Sequence, residues 1–169
     1  MRTRTLCVLV AVASALIPGV AQARDRDRST IAFSVENPGD ATPACAPDDL
    51  FGISFDMVSL RGAALGSGRS CVHAIEGCFP FRPFCRQTLH ATFTLDFKRG
   101  SLTAPMRLRE ILPTEASFIQ HGKGRIATGT GDFAGAHGRV AGGGVGAFTD
   151  QGFAGAIVYA VVLRGGQDD

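Results

Sequence analysis

Between Gly129 and Phe148 the chain reads GTGDFAGAHGRVAGGGVGAF, and eight of these twenty residues are glycine. Gly129, Gly131 and Ala134 match the dinucleotide fingerprint G-x-G-x-x-G/A, whose chemistry needs a helix whose N-terminus faces the pyrophosphate. More glycines follow instead, each costing a helix about 1 kcal/mol. No acidic residue on a second strand follows at the distance of a ribose-binding partner, since Asp150 falls in an expected turn. A phosphate-cradling loop of the G-K-[ST] type is absent as well. Phe133, Val140, Val145 and Phe148 punctuate the glycines, which a disordered linker would not require. The remaining reading is a β-turn followed by a strand pressed against other backbone or bent at a barrel corner.

Alternation on either side agrees with that reading. Apolar residues recur at every second position in Ile31-Phe33-Val35, Phe51-Ile53-Phe55-Met57 and Leu89-Ala91-Phe93-Leu95-Phe97. Leu102-Ala104-Met106-Leu108 and Phe153-Gly155-Ile157-Tyr159-Val161-Leu163 do the same, the mark of strands buried on one face. Arg99-Gly100 and Gly66-Ser67-Gly68 are expected as turns, Pro105 at an edge or bulge, and Gly122 and Gly124 at a bulge or sharp coil. The other face of the last strand, Ala154 to Val162, is small and apolar too, so this strand is expected to be covered on both sides. About eight strands with no amphipathic helix give an all-β chain, a sandwich or a small antiparallel eight-stranded barrel. Such a barrel is filled by side chains or holds one small ligand. An outer-membrane barrel would need aromatic girdles, whereas this chain has one tyrosine and no tryptophan.

The N-terminus sets the expected compartment. Arg2 and Arg4 precede an apolar run from Leu6 to Ile17, and Ala21-Gln22-Ala23 fits a cleavage site, the layout of a removable export signal. The expected organisation is therefore a cleaved signal at 1–23, a flexible leader at 24–29, one barrel domain at 30–165 and a tail at 166–169. The location implied is secreted or periplasmic, with no stable membrane insertion after cleavage. Cleavage removes two basic residues and leaves fifteen of each sign. A net charge of zero argues against nucleic acid as a partner, since that binding rests on neutralising phosphates. Cys7 leaves with the signal, and the remaining four, Cys45, Cys71, Cys78 and Cys85, imply two disulfides with three possible pairings. Cys78 with Cys85 closes the shortest loop and would leave Cys45 to Cys71.

Catalytic constellations are not evident. His73, His90, His121 and His137 form no metal-ligand spacing, and no metal or cofactor is expected. Asp48-Asp49, and Glu110 and Glu115 flanking a turn, are unmarked carboxylate pairs, and no G-x-S-x-G occurs. The most informative local feature is Cys78-Phe-Pro-Phe-Arg-Pro-Phe-Cys85. Phe79, Phe81 and Phe84 either fold inward to cap a barrel end or, with Arg82, form a rigid lid against an apolar ligand or partner.

Gly129-Thr130-Gly131-x-Phe133-x-Gly135-x-x-Gly138 resembles the G-[ST]-G-x-F-x-G-x-x-G signature of the allene oxide cyclase and dirigent-like, calycin-like barrel superfamily. Tyr159 to Gly165 resembles its closing strand. The likeness covers residues 117–165. It implies an eight-stranded barrel without cofactor whose apolar cavity shapes a reactive ligand, and it transfers no catalytic residue, because the polar cavity groups of that family come from early strands. The expected function is capture of an apolar small molecule or a partner without autonomous catalysis. A cyclase or stereochemical guide, and a structural subunit forming homo-oligomers, are the alternatives.

Overall fold

The computed structural model describes residues 28–77, 84–149 and 152–164. Among the described residues nine strands run β1 (Arg28–Asp40), β2 (Phe51–Ser59), β3 (Ala64–Gly77), β4 (Cys85–Phe97), β5 (Gly100–Thr114), β6 (Ser117–Arg125), β7 (Thr128–Gly129), β8 (His137–Thr149) and β9 (Gly152–Arg164). All pairings are antiparallel. The order β4-β3-β2-β1-β9-β8-β6-β5 closes through β4–β5 into an eight-stranded barrel, while two-residue β7 flanks β5. No helix among the described residues is long and apolar enough to cross a membrane.

Period-two alternation builds the core. Leu89, Ala91, Phe93 and Leu95 of β4 stand opposite Leu108, Met106, Ala104 and Leu102 of β5, and all eight are buried. Phe33, Phe55, Met57, Val140, Tyr159 and Val161 belong to the same interior. Phe93 meets Tyr159 edge-on at 5.3 Å, and Phe33 and Phe55 flank the pair at 6.1 Å from Tyr159 and Phe93 respectively.

The glycine-rich stretch is β-structure, in two parts. Gly129 to Gly138 crosses the barrel end where β4 and β5 join. Asp132 N–H donates to the Arg99 carbonyl at 2.9 Å, the Thr130 hydroxyl accepts from Ser101 N–H at 3.0 Å, and Asp132 pairs with Arg99 at 2.6 Å. Phe133 packs on Phe97 at 5.1 Å, and Gly131 takes the left-handed φ of 58°. The motif therefore clasps the β4–β5 hairpin. Gly142, Gly144 and Gly146 then lie in β8, where inward side chains would meet the Val158 carbonyl and Tyr159 ring, the Ala156 carbonyl and the Phe118 ring.

Four expectations are corrected. Gly66-Ser67-Gly68 is not a turn but lies inside β3; the turn is one step earlier, at Leu60 to Ala63, where Gly62 has φ 85°. Gly122 and Gly124 carry no bulge, because β6 keeps register with both neighbours from Gly122 to Gly124; they make room for Leu108 and Met106. The ladder of β1 begins at Arg28, two residues inside the expected leader. The outer face of β9 is not covered: Ala154, Ala156 and Val158 are exposed. Pro105 falls in the gap where pairing to β6 has ended and pairing to β7 has not begun.

Cys45 and Cys71 are joined, with Cα atoms 5.7 Å apart, tying the β1–β2 connection to β3. Cys85 is also oxidised; the expected pairing with Cys78 involves a residue outside the described ones.

Candidate functional site

Parity along the strands places a row of polar side chains inside the barrel. Gln87 on β4 stands opposite Glu110 on β5, which stands opposite Gln120 on β6. Gln87 Nε2 donates to Glu110 Oε2 at 2.8 Å, and Gln120 Nε2 donates to the Tyr159 hydroxyl at 3.1 Å. The glycines of β8 leave space above the Tyr159 and Phe118 rings, so the row reaches β9 without a bulky side chain intervening.

These groups line a cavity of ≈ 80 Å³. The rest of its wall is apolar, with Phe51, Val72, Leu89, Phe118 and Ile157 prominent, and Ser70 adds one hydroxyl. The cavity lies toward the barrel end that carries the 41–50 and 115–116 connections. It is smaller than the roughly 150 Å³ apolar cavity that holds a benzene ring. A ligand there is therefore small, or enters by displacing one of the lining rings.

Burial pushes the Glu110 carboxyl above its ordinary value, and the bond from Gln87 only partly offsets that. Desolvation, with a further contribution from the Glu110 charge, pushes the Tyr159 phenol up as well, so it keeps its proton at ordinary pH. Gln87 Oε1 is buried with no hydrogen-bond partner among the described residues. A buried amide end without a partner costs on the order of 1–3 kcal/mol. A ligand donor would recover this energy. The arrangement can hold one polar group of a ligand, or deliver a proton from a carboxyl whose protonated form is favoured by burial.

Of the residues singled out from the sequence, Phe79, Phe81, Arg82 and Cys78 lie outside the described residues. Phe84 does not cap the interior: it is 87% exposed with φ 58°. Gly129, Gly131, Phe133, Gly135 and Gly138 form the hairpin clasp at the opposite end from the cavity. Glu110 is not beside a turn with Glu115 but inside the barrel, because it continues the inward parity of Leu102 to Leu108. Gln87, Gln120 and Tyr159 were missed as a set, although each sits on the inward register of its strand.

The histidines sit outside the cavity. His90 meets Glu76 at 3.0 Å across β3–β4, and His73 lies 3.8 Å from Asp49. Among the described residues the one cluster with metal-ligand types is Cys45, Asp49 and Cys71, and both its sulfurs are spent in the disulfide. No family model, curated protein or solved structure matches this chain.

Proposed function

We propose that this protein is an exported barrel that captures a small, mostly apolar molecule bearing one hydrogen-bonding group. The observation that carries the reading is the amide oxygen of Gln87, without a partner among the described residues and next to Glu110, in a mostly apolar cavity. Convergent polar groups in a concave apolar site are the usual form of a small-molecule site. The N-terminal export pattern and the Cys45–Cys71 bond are consistent with an oxidising compartment. The test is to incubate the processed protein with a cell-envelope extract and identify retained molecules by mass spectrometry. A retained apolar molecule bearing a hydroxyl or N–H donor, lost from Gln87→Leu, is the expected result. Retention of nothing, with a crystal structure in which side chains fill the barrel, overturns the reading.

A second reading is favoured by Glu110 itself. A carboxyl held toward its neutral form by burial is a general acid, as a cyclase or stereochemical guide without cofactor would need, and the Gly129–Gly138 motif resembles that superfamily. An unstable epoxide supplied to the protein would then close with one enantiomer in excess, and Glu110→Gln would abolish the excess. Racemic product from the unaltered protein rejects it.

A further inference from the structure

The zero net charge of the processed chain hides a division between two sides of the barrel. Strands β5, β6, β8 and β9 contain a single acid, Glu110, and it points inward. Their outer surface, with the start of β1, carries cations in direct cross-strand pairs: Arg107 with Lys123, Arg125 with Arg139, and Arg164 with Arg28. Like charges facing each other across a ladder destabilise a sheet, yet this happens three times around one concavity floored by Ala141 and Ala160. Among the described residues, the one acid reaching the group is Glu76, 3.9 Å from Arg107. Glu36, Asp56, Glu76 and Asp96 lie on β1 to β4 instead.

The same four strands carry an apolar surface toward the other end that is exposed among the described residues. Ile111, Ile119 and Val145 are cross-strand neighbours on β5, β6 and β8, exposed by 41%, 47% and 52%. Val158 on β9 is 41% exposed, and Ala154 and Ala156 beside it are exposed too. This is the face whose composition reads as covered.

From these two observations we infer that the β5-β6-β8-β9 wall docks on an anionic phospholipid bilayer. The paired cations meet headgroup phosphates, and the Ile111-Ile119-Val145 row enters the headgroup–acyl boundary. A soluble polyanion would use the cations and leave the aliphatic row in water. A second copy of the chain packed face to face would set six cations against six, which works against it. A bilayer surface satisfies both halves at once. Docking of this kind is peripheral, and it does not depend on what the cavity holds.

The test is co-sedimentation of the processed protein, its N-terminus checked by mass spectrometry, with vesicles of phosphatidylglycerol and phosphatidylcholine in equal parts. Pure phosphatidylcholine vesicles and soluble dextran sulfate serve as comparisons. Binding is expected to the anionic vesicles and not to the neutral ones, with weak binding to dextran sulfate. Vesicle binding is expected to fall steeply between 0.1 and 0.5 M salt, conditions chosen because screening shortens to about 3 Å near 1 M. Arg125→Gln with Arg139→Gln lowers partitioning about 25-fold, at about fivefold per cation. Ile119→Asp lowers vesicle binding without changing the weak binding to dextran sulfate. These side chains are exposed, so circular dichroism of the variants is expected to be unchanged. No vesicle binding, equal binding to neutral vesicles, or vesicle binding indifferent to Ile119→Asp overturns the inference. In the last case tight dextran sulfate binding would identify a soluble polyanion site, and a dimer lost in Ile119→Asp would identify a self-association face.

Discussion

Glu110 pairs a carboxyl group with an apolar surrounding, and the consequence is a pH dependence with a definite sign. Burial raises its pKa in the folded chain above the ordinary 4.5. The folded state therefore holds the proton more tightly than the unfolded state. Stability from this group is complete below the ordinary carboxyl value and is lost as pH rises through the raised one. Glu110→Gln keeps an acceptor for Gln87 Nε2 but removes the charge. Urea unfolding at pH 8 is expected to show this variant more stable than the parent, and the difference is expected to vanish near pH 4. A variant less stable at both values would mean that the carboxylate is stabilised by a partner rather than penalised by burial. Gln87 and Tyr159 belong to the same polar row: the phenol stays protonated and accepts from Gln120 Nε2, while Gln87 Oε1 has no hydrogen-bond partner among the described residues.

At the level of strands, β6 and β8 make room for the interior side chains by what they leave out. Inward positions 122, 124, 142, 144 and 146 are all glycine, so large rings can lie against bare backbone. A methyl group on Gly142 would come within 2.1 Å of the Val158 carbonyl and 2.6 Å of the Tyr159 ring. Gly142→Ala is accordingly expected to cost about 1–3 kcal/mol, the range for overpacking a tight interior. Ala141→Ser, one residue earlier and facing outward, is expected to change stability by less than about 0.5 kcal/mol. Chemical denaturation of both variants checks the contrast, and similar losses would mean that β8 does not keep this inward–outward parity. That parity is also what the sequence made legible. Alternation in β4, β5 and β9 gives strand identity and core face directly, because a period of two has no helical counterpart. Glu110 was misplaced because a carboxyl near Pro113 looks like a turn residue until its register with Leu108 is counted. Gln87, Gln120 and Tyr159 come from three strands, and only the closed ladder brings them together. Gly66 to Gly68 was misread for a related reason: glycine marks both turns and close approach, and Gly66 faces the Asp96 carbonyl of β4.

Across the whole molecule, closure joins the most distant parts of the chain. Hairpin β4–β5 pairs Phe97 with Gly100, whereas β1–β9 pairs Arg28 with Arg164. The ordering entropy of joining ends grows with the separation between them, so local hairpins of the β3-β4-β5 meander form at less entropic cost than the β1–β9 seam. Proteins dominated by such distant pairings fold slowly, in milliseconds to seconds. The seam is therefore expected to form after the rate-limiting step. Phe33 tests this, because it is fully buried beside Tyr159 at the seam, and Leu95 of β4 is its counterpart in the meander. Phe33→Leu is expected to speed unfolding and leave refolding nearly unchanged, while Leu95→Ala slows refolding, with losses of about 1–2 and 2–5 kcal/mol respectively. Stopped-flow refolding and unfolding across a denaturant series separates the two. If Phe33→Leu slows refolding in proportion to its stability loss, the seam is part of the nucleus, and the barrel closes before its hairpins are consolidated.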